Sequence, residues 1–106
     1  MGKKKLLIVD NDAVAGEMIR DLFPYDCECI PAQNGVEGLS YLEKHPGQID
    51  LIVTDLVMPV MDGFEMMKCI HSNALNRNIP LLAIAASDQQ EDIKKAFAYG
   101  ADDVLI

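Results

Sequence analysis

The chain has 106 residues, enough for one small domain and too few for two. Seventeen acidic residues against nine basic ones give a net charge of −8. This balance argues against nucleic-acid binding by the chain itself, because phosphate contacts require clustered Lys and Arg. Half of the residues are hydrophobic, so the chain can build a core, yet no apolar run is long enough to span a bilayer.

The N-terminal sequence and the cysteines indicate the cellular compartment of the protein. The N-terminus leads straight into a strand pattern, without the apolar region of a signal peptide. We therefore expect a cytoplasmic protein with reduced thiols rather than disulfides. Cys27 and Cys29 flank one glutamate, but neither His45 nor His71 stands at metal-ligand spacing from them. The pattern favours small core-facing residues on a strand over a fragment of a metal site.

Strand and helix patterns alternate along the chain. In chain order they predict a strand at 5–9, a helix at 12–23, a strand at 27–31, a helix from an Asn34 cap to Glu43 or Lys44, and a strand at 49–54. There follow a helix at 64–71, a loop at 72–78, a strand at 80–84, a helix from a Ser87 or Asp88 cap to Tyr99, and a strand at 103–106. Alternating βα units predict one parallel sheet with right-handed crossovers, and a mixed α+β fold fits this order poorly.

Each predicted helix carries apolar residues at helical spacing, which indicates the face that packs on the sheet. The residues predicted to face inward are Val14, Ala15, Met18, Ile19, Leu22, Val36, Leu39, Leu42, Phe64, Met67, Cys69, Ile70, Ile93, Ala96 and Phe97. Tyr99 is expected to be exposed and available for partner contact.

Two apolar strand patterns end in acid. Asp55 follows the run 51–54, and Asp10 follows the run 6–9. A carboxylate at the exit of a buried strand is costly unless it meets water, a metal ion or a cation, and in open parallel α/β sheets ligands bind at that exit. The pair predicts an anionic pocket suited to a hard cation. Asp12 fits either this acidic cluster or a helix cap, and a cap or turn role is the alternative for Asp55 itself.

Three segments resemble a known family: 8–12 (IVDND), 54–63 (TDLVMPVMDG) and 100–103 (GADD). They resemble the receiver domain of bacterial two-component response regulators, with chemotaxis-type regulators closest in spacing. The resemblance covers the whole chain and implies a flavodoxin-like, doubly wound parallel five-stranded sheet of order 2-1-3-4-5. It also implies that residues 1–106 form one receiver domain, truncated before its final helix.

The resemblance implies that Asp55 is the phosphoacceptor, taking a phosphoryl group from a sensor histidine kinase or a small phosphodonor. It implies Mg²⁺, or another divalent cation such as Mn²⁺, bound by Asp10, Asp55 and the backbone carbonyl of Val57, with Asn11 acting through a water molecule. The modified domain would then switch an output domain or a downstream protein, in two-component signal transduction rather than as a turnover enzyme. No membrane partner is expected.

The loop after Asp55 also belongs to the resemblance. Met58, Pro59, Asp62 and Gly63 are expected to shape it, with Gly63 supplying a positive φ and Asp62 a structural rather than a catalytic role.

The chain departs from the family pattern at several positions. Asn11 replaces one of two adjacent acids, which should weaken cation binding. Ala85 stands where the family has a hydroxyl, and Val104 stands where it has an aromatic, so the usual coupled switch cannot operate in its usual form. The family's Lys would fall one residue beyond Ile106. Without the last helix, apolar residues near the first and fifth strands should be exposed, which would favour a homodimer.

Two further interpretations stay open beside the phosphorylatable receiver. A degenerate receiver would signal as a phosphate-independent protein-binding module; Asn11, Ala85 and Val104 favour it, whereas Asp10 and Asp55 oppose it. A flavin or nucleotide enzyme on the same fold would need a Gly-rich or Ser/Thr-rich loop after the first strand. The acidic segment there would repel phosphate without a metal, which argues against that enzyme.

Overall fold

The computed structural model describes residues 3–24, 26–86 and 89–106. Within them the chain forms five strands and four helices in strict alternation. The elements are β1 (Lys5–Val9), α1 (Ala13–Arg20), β2 (Glu28–Ala32), α2 (Gly35–Lys44), β3 (Leu51–Asp55), α3 (Gly63–His71), β4 (Leu81–Ile84), α4 (Gln90–Ala98) and β5 (Asp103–Leu105). Every predicted element is present, and most ends shift by one or two residues. No helix in this described part is long and apolar enough to cross a membrane.

The five strands form one sheet in which every neighbouring pair is parallel, in the order β2-β1-β3-β4-β5. This confirms the predicted doubly wound topology. Val9 of β1 lies opposite Thr54 of β3. Asp10 and Asp55 therefore each directly follow a member of this residue pair, at the carboxyl ends of adjacent strands.

The helices cover the two faces of the sheet unequally. The larger core joins one face to α2, α3 and α4, with Leu42, Met66, Met67 and Ala96 among its buried helical residues. On the other face, Ile8 and Val53 pack with Ile19, the buried residue of α1. β3 is buried toward both faces, as its continuous apolar run predicts.

Side-chain caps begin three of the helices. Asp12, Asn34 and Asp62 accept hydrogen bonds from backbone N–H groups in the first turns of α1, α2 and α3. The predicted caps Ser87 and Asp88 lie outside the described residues. Gln89 stands at the N-cap of α4 and makes no side-chain cap hydrogen bond.

The predicted inward face of α1 is wrong for three residues. Val14, Met18 and Leu22 are 65%, 66% and 69% exposed, whereas Ile19 is 8% exposed. Neighbouring positions on a helix differ by about 100° around its axis, so contact through Ile19 turns Met18 away from the sheet. Leu22 lies beyond the end of α1.

The same geometry corrects predictions for the other helices. Val36, Cys69 and Phe97 are exposed although they were expected to face inward, because Leu42, Ile70 and Ala96 occupy the core positions on their respective helices. Tyr99 shows the reverse error, since it is partly buried and packs edge-on against Phe64 at a ring-centroid distance of 6.0 Å.

Candidate functional site

The structure brings Asp10 and Asp55 together at one edge of the sheet. Asp55 is the last residue of β3, Asp10 directly follows β1, and both are half-buried. The Asp55 pKa is raised above its ordinary value, first by burial and then by the negative charge of Asp10. The two carboxylates therefore repel each other in a partly desolvated place, which is the electrostatic condition that a bound cation relieves.

Backbone N–H groups hold both carboxylates in position. The Leu56 N–H donates to Asp55 Oδ1 at 2.8 Å, and the Asp12 N–H donates to Asp10 Oδ1 at 2.9 Å. Hydrogen bonds from the N–H groups of Leu56 and Val57 lower the Asp55 pKa, but less than burial and Asp10 raise it. The acidic pair is thus preorganised by its own loops.

Asp12 belongs to the helix cap. Its Oδ1 accepts hydrogen bonds from the N–H groups of Val14 at 2.9 Å and Ala15 at 3.4 Å. A carboxylate oxygen engaged with the first turn of α1 is oriented toward the helix rather than toward Asp55. Asn11, between the two acids, is exposed.

The loop after Asp55 alternates exposed and buried residues. Val57 is 73% exposed, whereas Met58 is 7% exposed and belongs to the larger core. Asp62 ends the loop as the cap of α3, and its side chain accepts a hydrogen bond from the Glu65 N–H at 2.9 Å.

The predicted reason for Gly63 is wrong. Its φ is not positive; instead, a Cβ at this position would overlap the backbone oxygen of Asp55 and lie 3.0 Å from the Leu56 Cα. The Gly63 N–H donates to the Leu56 carbonyl oxygen at 2.9 Å. A glycine is therefore required because the start of α3 approaches the backbone of Asp55 closely.

The positive φ of this loop belongs to Val60. Its φ is 69°, and among the described non-glycine residues it is the one with a positive value. A β-branched residue in this conformation is strained, and Val60 is 81% exposed, so packing does not compensate. Nothing in the local sequence marked this position, because an isolated valine in a loop carries no turn signal.

Val60→Gly is expected to raise the free energy of unfolding by about 0.5–1 kcal/mol, because the left-handed penalty of about 1–2 kcal/mol that it removes exceeds the entropic cost of glycine, about 0.5–1 kcal/mol. Chemical denaturation measures the change. Val57→Gly is the matched control: it removes an equally exposed valine without a positive φ, and should destabilise by about 0.5–1 kcal/mol. Equal effects of the two substitutions would contradict the assignment of strain to Val60.

The two residues that depart from the family pattern at its switch positions lie just after β4 and in β5. Ala85 follows β4 and is buried, and its N–H donates to the Leu105 carbonyl oxygen at 2.7 Å. Val104 pairs with Ala83 and packs against the larger core. Ala85 stands one residue beyond Ile84, the partner of Asp55, so a hydroxyl is lacking next to the carboxylate pair.

The oxygen donors at this edge suit a hard divalent cation. Asp10 and Asp55 provide two carboxylates, and the Val57 backbone lies in the loop that Asp55 begins. Among the described residues, no group of three or more His, Cys, Asp or Glu side chains is arranged to hold a metal ion. A cation held by Asp10 and Asp55 would take its remaining ligands from backbone, amide or water oxygens, as Mg²⁺ usually does.

Comparison with known proteins identifies the family. The family model for the response regulator receiver domain matches residues 6–106. This chain belongs to the response regulator receiver domain family. Among curated relatives, the rice (Oryza sativa subsp. indica) "Two-component response regulator-like PRR37" is 32% identical over 103 residues, which cover 96% of this chain. The receiver domain spans only 14% of that protein.

Solved structures share the architecture. A putative response regulator from Chloroflexus aurantiacus matches with a TM-score of 0.89 and 29% identity, covering 97% of this chain and 84% of that one. The Vibrio cholerae chemotaxis protein CheY4 matches with a TM-score of 0.85 and 28% identity, covering 99% and 87%. The strand order of the sheet and the likeness to these solved structures together show that this receiver domain has the flavodoxin-like, CheY-type fold.

Proposed function

We propose that this receiver domain accepts a phosphoryl group on Asp55 from a sensor histidine kinase, and that the modified domain acts on an output domain or a downstream protein in the cytoplasm. The observation that carries the proposal is the position of the Asp55 carboxylate at the exit of the central strand, half-buried beside Asp10. Membership of the receiver family supports the same role.

The chemistry follows from the carboxylate. An Asp55 oxygen attacks the phosphorus in line, the P–N bond of the phosphohistidine breaks, and an acyl phosphate forms on Asp55 as the imidazole leaves. A divalent cation, Mg²⁺ or Mn²⁺, would offset the charge that gathers between two acids and the phosphoryl oxygens. Asp10, Asp55 and the Val57 carbonyl would hold the cation, with Asn11 acting through water.

Two departures from the family pattern affect how the phosphorylated domain would signal to its partner. Ala85 donates no hydrogen bond through its side chain, and a charge-assisted bond of that kind is worth about 1.5–3 kcal/mol, so the acyl phosphate is less stabilised than with a hydroxyl there. Val104 fills its core position and offers no ring to reorient. We therefore propose that the signal reaches the partner through the loops around Asp55 rather than through a hydroxyl–aromatic switch.

Intact-mass measurement tests the proposal. Incubation with Mg²⁺ and a small acyl-phosphate or phosphoramidate donor should add one phosphoryl group to the wild-type chain and none to Asp55→Asn. Asp10→Asn should lower the yield strongly, because one of the two carboxylate ligands is lost.

Asp62→Asn is the matched control, since asparagine also caps helices and Asp62 caps α3. Its yield should equal that of the wild type. An adduct that persists in Asp55→Asn would show that the acceptor lies elsewhere. A wild-type chain that takes no phosphoryl group at saturating donor and Mg²⁺ would overturn the proposal and leave a phosphate-independent binding module.

A further inference from the structure

Two thiols lie together at the free edge of the sheet, away from the acidic pair. β2 pairs with β1 alone, so its other edge is open. Cys29 lies in β2, and Cys27 directly precedes the strand, with its N–H donating to the Pro24 carbonyl oxygen at 3.0 Å. Residues two apart along a chain are at most about 7 Å apart at Cα, and Cys27 is near enough to Cys29 for its charge to raise the Cys29 pKa.

Both cysteines line the same open cavity of about 480 Å³ beside the end of α1. Both residues are partly exposed. The other charged groups on this cavity are Glu17, Arg20 and Asp21, all from α1 and its C-cap. Cys29 also packs against the Ile8, Ile19 and Val53 cluster, which fixes the floor of the cavity.

The surroundings of Cys29 raise its pKa overall. Burial is the largest cause, the Arg20 guanidinium lowers the pKa, and the neighbouring Cys27 raises it. A bound ion must therefore displace protons from the thiols, which soft thiophilic ions do. Glu17 and Asp21 attract a cation to the cavity, while Arg20 offsets the negative charge that remains on two thiolates holding one monovalent ion.

We propose that Cys27 and Cys29 form a two-thiolate site for a soft monovalent cation, Cu⁺. Binding follows 2 RSH + Cu⁺ → [Cu(SR)₂]⁻ + 2 H⁺, so no oxidant or reductant takes part. Thiolates select Cu⁺ over hard cations. A tetrahedral zinc site would need further protein ligands, and within the described ranges no third His, Cys, Asp or Glu side chain completes such a group.

Anaerobic titration of the reduced protein with Cu⁺, in competition with a chromogenic Cu⁺ chelator, tests the site. The wild type should bind one Cu⁺ per chain. Cys27→Ser and Cys29→Ser should each weaken binding by more than about 100-fold, because each removes one of two ligands and even the loss of a group that supports a ligand costs about 10–100-fold. Arg20→Gln should weaken it by about tenfold, as loss of a charge that supports the complex does.

Cys69→Ser is the matched control, since Cys69 is exposed on α3 and belongs to another surface. It should bind Cu⁺ like the wild type. Far-UV circular dichroism checks that each variant is folded, and Cys27→Ala gives a second test of the partly exposed thiol. Retention of Cu⁺ by the Cys27→Ser, Cys29→Ser double variant would overturn the site. So would a complex of two chains per copper in size-exclusion chromatography.

Discussion

Gly63→Ala is expected to lower the free energy of unfolding by about 3 kcal/mol, the upper range for inserting a methyl group into a packed place. The new Cβ would overlap the backbone oxygen of Asp55, and a backbone atom cannot rotate aside as a flexible side chain can. Either α3 or the backbone at Asp55 must shift. Thermal unfolding should show a midpoint lower by roughly 12–24 °C, for a domain of this size.

Gly16→Ala is the matched control for this substitution. Gly16 lies inside α1, and a Cβ there would meet nothing within 4 Å. Alanine should therefore stabilise the domain by about 0.5–1 kcal/mol through helix propensity alone. If both substitutions moved stability in the same direction, close approach would not be the reason for Gly63.

Asp55→Asn is expected to stabilise the cation-free domain at neutral pH by about 1 kcal/mol, as neutralising a strained functional residue often does. The amide keeps the shape of the side chain but removes the repulsion with Asp10 and the cost of a half-buried charge. Urea denaturation in the presence of a chelator measures the difference from the wild type.

The stability difference between Asp55→Asn and the wild type should change with pH in one direction. Because the Asp55 pKa is raised by burial and by Asp10, the folded state holds its proton to higher pH than the unfolded state, whose pKa is about 3.9. The contribution of the protonated Asp55 carboxyl group to the stability of the folded state is complete below about pH 3.9. It is lost as the pH rises through the pKa of Asp55 in the folded state. The advantage of Asp55→Asn should therefore be absent in acid and grow toward neutral pH. An advantage independent of pH would contradict the electrostatic cause.

Mg²⁺ should make the wild type more stable than Asp55→Asn, which is the reverse of the order expected without a cation. At a free concentration of about 100 times its dissociation constant, a ligand that binds only the folded state adds about 2.7 kcal/mol. The wild type should gain this amount near pH 7, and Asp55→Asn should gain little, because it lacks one carboxylate ligand. An equal gain in both proteins would place the cation away from Asp55.

Much of the fold follows from local patterns in the chain. The apolar runs before Asp10 and Asp55 predict buried parallel strands, since their side chains are apolar toward both faces. Asn34 begins a helix because its side chain replaces a missing backbone partner, a purely local interaction. The acidic strand exits and the 54–63 segment likewise indicated the candidate site before any packing was known.

Tertiary structure decided the features that depend on distant neighbours. Which stripe of α1 is buried depends on where the helix meets the sheet, so Ile19 is inside and Met18 is outside. The need for glycine at position 63 comes from the Asp55 backbone, eight residues earlier in sequence.

The strain at Val60 and the cavity shared by Cys27 and Cys29 were also decided by tertiary structure. Loop paths and surface clefts are set by the elements that flank them. The sequence by itself determined the alternation of strands and helices, the Asn34 cap and the acids at the strand exits, because these rest on short-range hydrogen bonding and hydrophobic periodicity. Close approaches, backbone strain and clustered side chains were decided by packing, because they join residues that no local pattern connects.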